Sequence, residues 1–259
     1  MSYRQIRFGS LKPDERFRVY GASQISLCGD DGLAARRWLI KERGLDIETI
    51  AKFRLGYVPF SVNHSFAGRI VIPIFDTYSN LIALSVRPAT NDQAVLDEYK
   101  KYWNESYEKG WNLFGLNLAK QSIIKMRFAI LVEGQFDVMG MHSYGFTNTV
   151  GVLGGAFTPM QAQLLSLWTN QIVLMFDGDE AGKKHANRCL EILSYYGWVP
   201  QNAGKRGEAN RLLRSAKITL TSNMDPNDYL NSYGSYPMRR VIIDGMKAAN
   251  MKLPKEWAA

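Results

Sequence analysis

Three short apolar runs punctuate the second half of the chain. Residues 128–132 lead into Glu133-Gly134, residues 147–153 into Gly154-Gly155, and residues 172–176 into Asp177-Gly178-Asp179. Runs this short with almost no polar interruption read as strands covered on both faces. Segments 135–144 and 158–168 between them carry helical periodicity, the second with Thr158 as a cap and Pro159 at the first helical position. Strands alternating with helices predict an open α/β sheet, mainly parallel, with a fourth strand at 218–221. The first half reads differently. Helices are expected at 33–42, stopped by Gly44, and at 46–53, and the apolar segments 68–76 and 81–87 pair as a hairpin around the turn 76–80. The first 30 residues show no sustained period and read as a loose arm or short strands. The expected organisation is an arm at 1–32, an α+β subdomain at 33–125, an α/β domain at 126–232 and a short helical tail at 233–259.

In open α/β sheets, ligands gather beyond the carboxyl ends of the strands. That rule brings Glu133 towards Asp177 and Asp179. Asp137 lies about one helical turn beyond Glu133, and a further acidic pair is Asp225 and Asp228. Converging carboxylates suit magnesium, a hard cation that takes oxygen ligands and bridges to phosphates. A local reading stands beside this one. Asp-Gly is an ordinary turn dipeptide, Asp179 stands where a helix N-cap belongs, and Asp225-Pro226-Asn227-Asp228 is a good helix start in its own right. A Glu-Gly closing a buried strand, as at Glu133, is not an obvious packing choice.

Composition narrows the partners. A chain of 259 residues with a formal charge of +8 favours a polyanion. With no long apolar span and no secretory pattern, nucleic acid is preferred to a membrane surface, and a soluble protein of the cytoplasm, in a bacterial cell or an infected host cell, is expected. The two cysteines and three histidines are scattered, so no zinc is expected to be bound by this chain. A G-x-x-x-x-G-K-[ST] loop is absent, which excludes the common ATPase phosphate cradle.

The sequence Glu133-Gly134-Gln135-Phe136-Asp137, then Asp177-Gly178-Asp179-Glu180-Ala181-Gly182, then Asp225-Pro226-Asn227-Asp228 resembles the three acidic motifs of the toprim domain. That domain is shared by bacterial-type primases, topoisomerases and some nucleases. The segments 43–57, Gly68-Arg69-Ile70-Val71-Ile72-Pro73-Ile74, Lys101-Tyr102-Trp103-Asn104, Leu113-Phe114-Gly115-Leu116 and the loop 153–158 resemble the catalytic core of bacterial-type DNA primases over roughly residues 33–230. The resemblance implies an α+β N-terminal subdomain followed by an α/β toprim domain with a mainly parallel sheet. It also implies synthesis of short RNA primers on single-stranded DNA from ribonucleoside triphosphates. Glu133, Asp177 and Asp179 would be the principal ligands of Mg2+ or Mn2+, more than one ion, with Asp137, Asp225 and Asp228 in support. Arg69 and Lys101 would line a basic surface beside the metals and Lys109 would meet the nucleotide. Tyr102, Trp103 and Trp111 are candidates either for base stacking or for the core, and Lys101 also belongs to a charged run that reads as solvated surface.

The sequence departs from the family in several places. The zinc-binding initiation module and the helicase-interaction region of bacterial-type primases have no counterpart here, so a separate helicase and zinc module are expected partners, in the setting of a phage or mobile element. Gly155-Ala156 replaces a more usual Gly-Thr. The basic segment 201–217 is longer than expected and suits a single strand, an acidic partner or a mobile loop. Two rival functions remain open, a toprim-type metal-dependent nuclease and a non-catalytic accessory that binds single-stranded nucleic acid.

Overall fold

The computed structural model describes residue 3 and residues 10–153, 157–196, 214–220 and 224–257. The chain divides into two compact units, residues 1–107 and 108–259. The sequence pattern had set this boundary near 125. Segment 108–125 goes with the second unit because its helix packs there.

The first unit is an antiparallel sheet with helices. Helices α1 (Pro13–Cys28), α2 (Leu33–Lys41) and α3 (Ile47–Lys52) precede strands β1 (Gly56–Val58), β2 (Arg69–Phe75) and β3 (Leu81–Pro88). Helix α4 (Gln93–Tyr99) and strand β4 (Trp103–Asn104) complete it, and the sheet order is β1-β2-β3-β4. The hairpin and both expected helices are present. Asp46 caps α3, its carboxylate accepting from the Thr49 amide at 2.6 Å. Pro73, which has no amide hydrogen, lies in β2 past the Arg69–Val71 stretch that pairs with β1 and opposite Leu84 of β3, whose own amide is turned to Glu105.

Helix α1 corrects the expectation of a loose arm. Of its sixteen residues only Ser23 and Leu27 are buried, so its sequence carries little apolar period. Its position is set from outside instead. Glu105, with no exposed surface, accepts from the Leu11 amide (2.9 Å), the Leu84 amide (3.0 Å) and the Arg16 guanidinium (2.7 Å), tying the start of α1 to β3. At its other end α1 lies so close to β1 that a Cβ on Gly56 would fall 2.0 Å from the Ser23 hydroxyl.

The second unit is the expected α/β domain. It runs α5 (Leu116–Met126), β5 (Ala129–Val132), α6 (Gln135–Ser143), β6 (Thr149–Gly151), α7 (Pro159–Ser166), β7 (Gln171–Phe176), α8 (Glu180–Tyr196), β8 (Arg214–Thr219), α9 (Pro226–Tyr233) and α10 (Ser235–Ala248). The sheet order is β6-β5-β7-β8, parallel throughout. Alternate strand residues Ala129, Leu131, Ile172, Leu174 and Phe176 cluster with Leu116 and Ile123 of α5, Leu165 of α7 and Cys189 and Leu193 of α8. Ile130, Val132, Val173 and Met175 are equally buried and point to the other face. There α10 approaches β8 closely enough that a Cβ on Gly245 would meet Ile218 at 2.8 Å. Each such fully buried aliphatic side chain contributes roughly 1.5–3 kcal/mol, which is why short, almost entirely apolar strands sit at the centre of the layer. The fourth strand begins earlier than expected, at Arg214. Among the described residues no helix is long and apolar enough to cross a membrane.

Candidate active site

The site forms where β5 and β7 end. These strands are adjacent and parallel, pairing Ala129 with Ile172 and Leu131 with Leu174. Continuing that register sets Glu133 opposite Phe176, one residue before Asp177, so the two acidic motifs leave the sheet side by side. The turn after β7 is held tightly against α8. A Cβ on Gly182 would lie 2.2 Å from the Asp177 carbonyl oxygen, so only glycine lets the first turn of the helix come this close.

Three of the six expected acids hold the starts of helices. Asp179 accepts from the Gly182 amide at 2.7 Å and stands at the start of α8. Asp137 is buried in the first turn of α6 and accepts from the Gly134 amide at 2.9 Å. Asp225 accepts from the Asp228 amide at 2.6 Å with Pro226 at the first position of α9. Each carboxylate satisfies an amide that the helix leaves unpaired and opposes the positive end of the helix dipole. The capping anticipated for Asp179 and Asp225 is therefore present, and it fixes both carboxylates on rigid elements. Asp228 is exposed. Helix α9 is brought against α6 by a second glycine contact, since a Cβ on Gly140 would fall 2.0 Å from the Asn227 side-chain oxygen.

Glu133 behaves differently from the caps. Its Oε2 meets Nδ1 of His185 at 3.2 Å, a contact between residues 52 apart in sequence. Its Oε1 is buried and has no hydrogen-bond partner among the described residues. Cys189 is 1% exposed, and burial, with the charge of Glu133 adding to it, pushes its thiol up to about 12. His185 and Cys189 are four residues apart, so one face of α8 supplies both neighbours of Glu133. Nothing in the residue pattern marks the histidine's part beyond its place on the helix that follows Asp179.

The toprim resemblance implies divalent-metal chemistry, and the donor set fits it. Glu133, Asp177 and Asp179 offer only oxygen, as Mg2+ requires, and Glu133 Oε1 is a buried acceptor that lacks a donor. Among the described residues, however, no three His, Cys, Asp or Glu side chains are grouped closely enough to hold one ion. Like-charged carboxylates repel each other until a cation offsets them.

The basic residues fall in both units. Lys101 is exposed in the first. Arg69 departs from the expectation of a basic surface. It is 1% exposed, donates to the carbonyls of Ser65 (2.8 Å) and Ala67 (3.3 Å), and has the ring of Tyr3 5.4 Å from its guanidinium carbon. These carbonyls and the aromatic face satisfy the cation inside the unit, while desolvation lowers its pKa. Lys109 opens a 3-10 turn in the second unit. Its carbonyl accepts from Gln161 at 3.1 Å, and the next carbonyl, of Gly110, accepts from Thr158 at 2.7 Å, which ties the turn to the start of α7. Of the aromatic candidates, Trp103 packs on Phe66 with centroids 5.1 Å apart and the Arg87 guanidinium lies over Tyr102, whereas Trp111 is 60% exposed. The loop 154–156 and most of the basic segment 201–217 lie outside the described residues. Within β8, Arg214 donates to the Asn250 carbonyl and Lys217 to the Asn187 side chain.

Residues 127–198 match the family model of the Toprim domain. The chain is 31% identical over 236 residues to the DNA primase of Aquifex aeolicus, a match covering 78% of this chain and 43% of that protein. It is 36% identical over 202 residues to the DNA primase of Clostridium acetobutylicum, covering 76% and 30% respectively. The chain thus spans less than half the length of these relatives. Among solved structures it is similar to the zinc-binding and RNA polymerase domains of Aquifex aeolicus primase, with a TM-score of 0.72 at 28% identity over 93% of this chain and 63% of that one. It is equally similar to a primase catalytic domain bound to single-stranded DNA, with a TM-score of 0.72 at 25% identity over 89% and 77%. The chain is a toprim-domain protein homologous to the catalytic core of bacterial DNA primases.

Proposed function

We propose that this chain catalyses the synthesis of short RNA primers on single-stranded DNA for replication. The observation that carries the reading is the side-by-side exit of Glu133 and Asp177-Gly178-Asp179 from adjacent parallel strands, in a chain whose homology to primases reaches well beyond the toprim domain. A nuclease reading would rest on the acidic motifs alone.

Glu133, Asp177 and Asp179 are proposed to hold Mg2+ or Mn2+, more than one ion, with Asp137, Asp225 and Asp228 as the supporting acids. Bound there, the ions would lower the pKa of an attacking 3′-hydroxyl and offset charge at the α-phosphate. The protein's own part is positional. The caps at Asp179, Asp137 and Asp225 fix the helix starts, and Gly182 holds the Asp177 turn against α8. Lys101 and Lys109 are the cations proposed to meet template and triphosphate, a contribution that weakens with salt. Of the three aromatic candidates, Trp111 is the largely exposed one and is the one proposed to stack on a base. A single-stranded DNA template and ribonucleoside triphosphates are the proposed substrates. A separate helicase and a zinc-binding initiation module are the proposed partners, in the cytoplasm.

The test is incubation with mixed-sequence single-stranded DNA, all four labelled ribonucleoside triphosphates and Mg2+ or Mn2+, beside an Asp177→Asn/Asp179→Asn control. Short template-dependent RNA that disappears in the control is expected. Cleavage of the template without synthesis would replace the proposal with the nuclease reading.

A further inference from the structure

We infer that His185 is a positioning residue for Glu133, an inference that rests on the proposed reading of the acidic site. Glutamate has three rotatable side-chain bonds, and Glu133 stands on a turn where its carboxylate has many orientations to choose from. An ionised carboxylate only accepts hydrogen bonds, so in the contact at 3.2 Å the hydrogen belongs to Nδ1 of His185 and Oε2 is the oxygen it holds. That choice leaves Oε1, the buried oxygen without a donor among the described residues, as the atom presented to a cation.

Packing alone does not put the imidazole here. The His185 side chain is 50% exposed while that of Glu133 is 22% exposed, so the ring reaches inward from a solvated helix face to the more enclosed partner. Other polar side chains along the same stretch of α8 are engaged elsewhere, Lys183 with Glu180 at 2.7 Å and Asn187 with Lys217 at 2.8 Å. His185 instead bonds Glu133, one of the proposed metal ligands. A hydrogen bond that orients a ligand typically changes metal affinity by about 10- to 100-fold when removed, whereas an exposed pair serving only the surface leaves it unchanged.

The experiment is a titration of the full chain with Mn2+, reading free ion by electron paramagnetic resonance, for wild type, Glu133→Gln, His185→Ala and His185→Asn, with the unfolding temperature of each recorded. Asparagine places an amide donor near the position of Nδ1. His185→Ala is expected to weaken Mn2+ binding by about 10-fold or more, and His185→Asn to return it to within about 3-fold of wild type. Should alanine prevent folding, His185→Leu takes its place, since it keeps the bulk and removes the donor. Unchanged affinity without the donor overturns the inference, as does an asparagine variant no better than alanine. Wild type and Glu133→Gln that bind Mn2+ equally, or not at all, overturn the reading of the acidic site and the inference with it. The first outcome leaves the site standing and the second does not.

Discussion

Two glycine-to-alanine substitutions, both inside helices, should have opposite consequences, and the difference is set by what each new Cβ would meet. In α1, a Cβ on Gly21 meets nothing within 4 Å. Alanine there removes backbone freedom from the unfolded chain and favours the helix, a stabilisation of about 0.5–1 kcal/mol. Gly182 has the same helix preference in its favour. Its new Cβ, however, would sit 2.2 Å from the Asp177 carbonyl oxygen, 2.9 Å from the carbonyl carbon and 3.0 Å from the amide nitrogen. Carbon atoms settle at about 3.5–4.0 Å from their neighbours, so α8 and the turn must separate by on the order of 1 Å. Overpacking of this kind costs about 1–3 kcal/mol, which cancels or exceeds the propensity gain. The net change in stability is small, up to about 2 kcal/mol, corresponding to a fall in Tm of about 4–8 °C at most for a chain of this size. Activity should suffer more, because a misplacement of about 1 Å in a reacting constellation costs on the order of 100-fold in rate. Thermal unfolding and primer synthesis measured on both variants separate the two effects. If Gly182→Ala gains stability as Gly21→Ala does and keeps wild-type synthesis, the close approach of α8 to Asp177 is wrong.

Other expectations follow from single residues. Glu105→Ala strands the Arg16 guanidinium and two backbone amides, and should cost about 3–5 kcal/mol by urea unfolding, the range for breaking one partner of a buried pair. A loss below about 1 kcal/mol would mean that the clamp is not formed. Burial holds the pKa of His64 below its ordinary value, against the pull of Glu15, and its Nδ1 accepts from the Phe66 amide at 3.1 Å. The unfolded chain therefore binds more protons there, and this contribution to stability is present above about pH 6.5 and lost as pH falls through the folded value. Wild type should lose more stability than His64→Gln on that descent, and parallel curves would contradict the assignment. Cys28 is exposed and Cys189 is buried with its thiol pushed up to about 12, so a disulfide reagent at pH 8 should label one thiol quickly and the second only on unfolding. Fast native labelling of Cys189 would show that its burial in the core beneath α8 is wrong.

Local pattern was enough wherever a segment's environment is uniform along its length. The strands 129–132 and 171–176 are buried at every position, so their sequence is apolar except for the hydrogen-bonded Gln171 at the start of the second, and their ends are marked by the acids that follow. The starts of α3, α7 and α9 were equally legible, because a cap is a contract between residues about three apart: Asp46 with Thr49, Thr158 with Gln161, Asp225 with Asp228. What the sequence could not express was any role settled by a partner far along the chain. Helix α1 has almost no buried face of its own, and its place follows from Glu105, some 89 residues beyond Arg16. Arg69 reads as a surface cation by type, yet carbonyls and an aromatic ring make it an interior one. His185 reads as one of a few scattered histidines until α8 folds back along β7 and delivers it to Glu133. The acids themselves were determined by sequence. Which oxygen of Glu133 the imidazole meets was decided only when the strands aligned and α8 packed back on them, because a partner 52 residues away is chosen by distance in space.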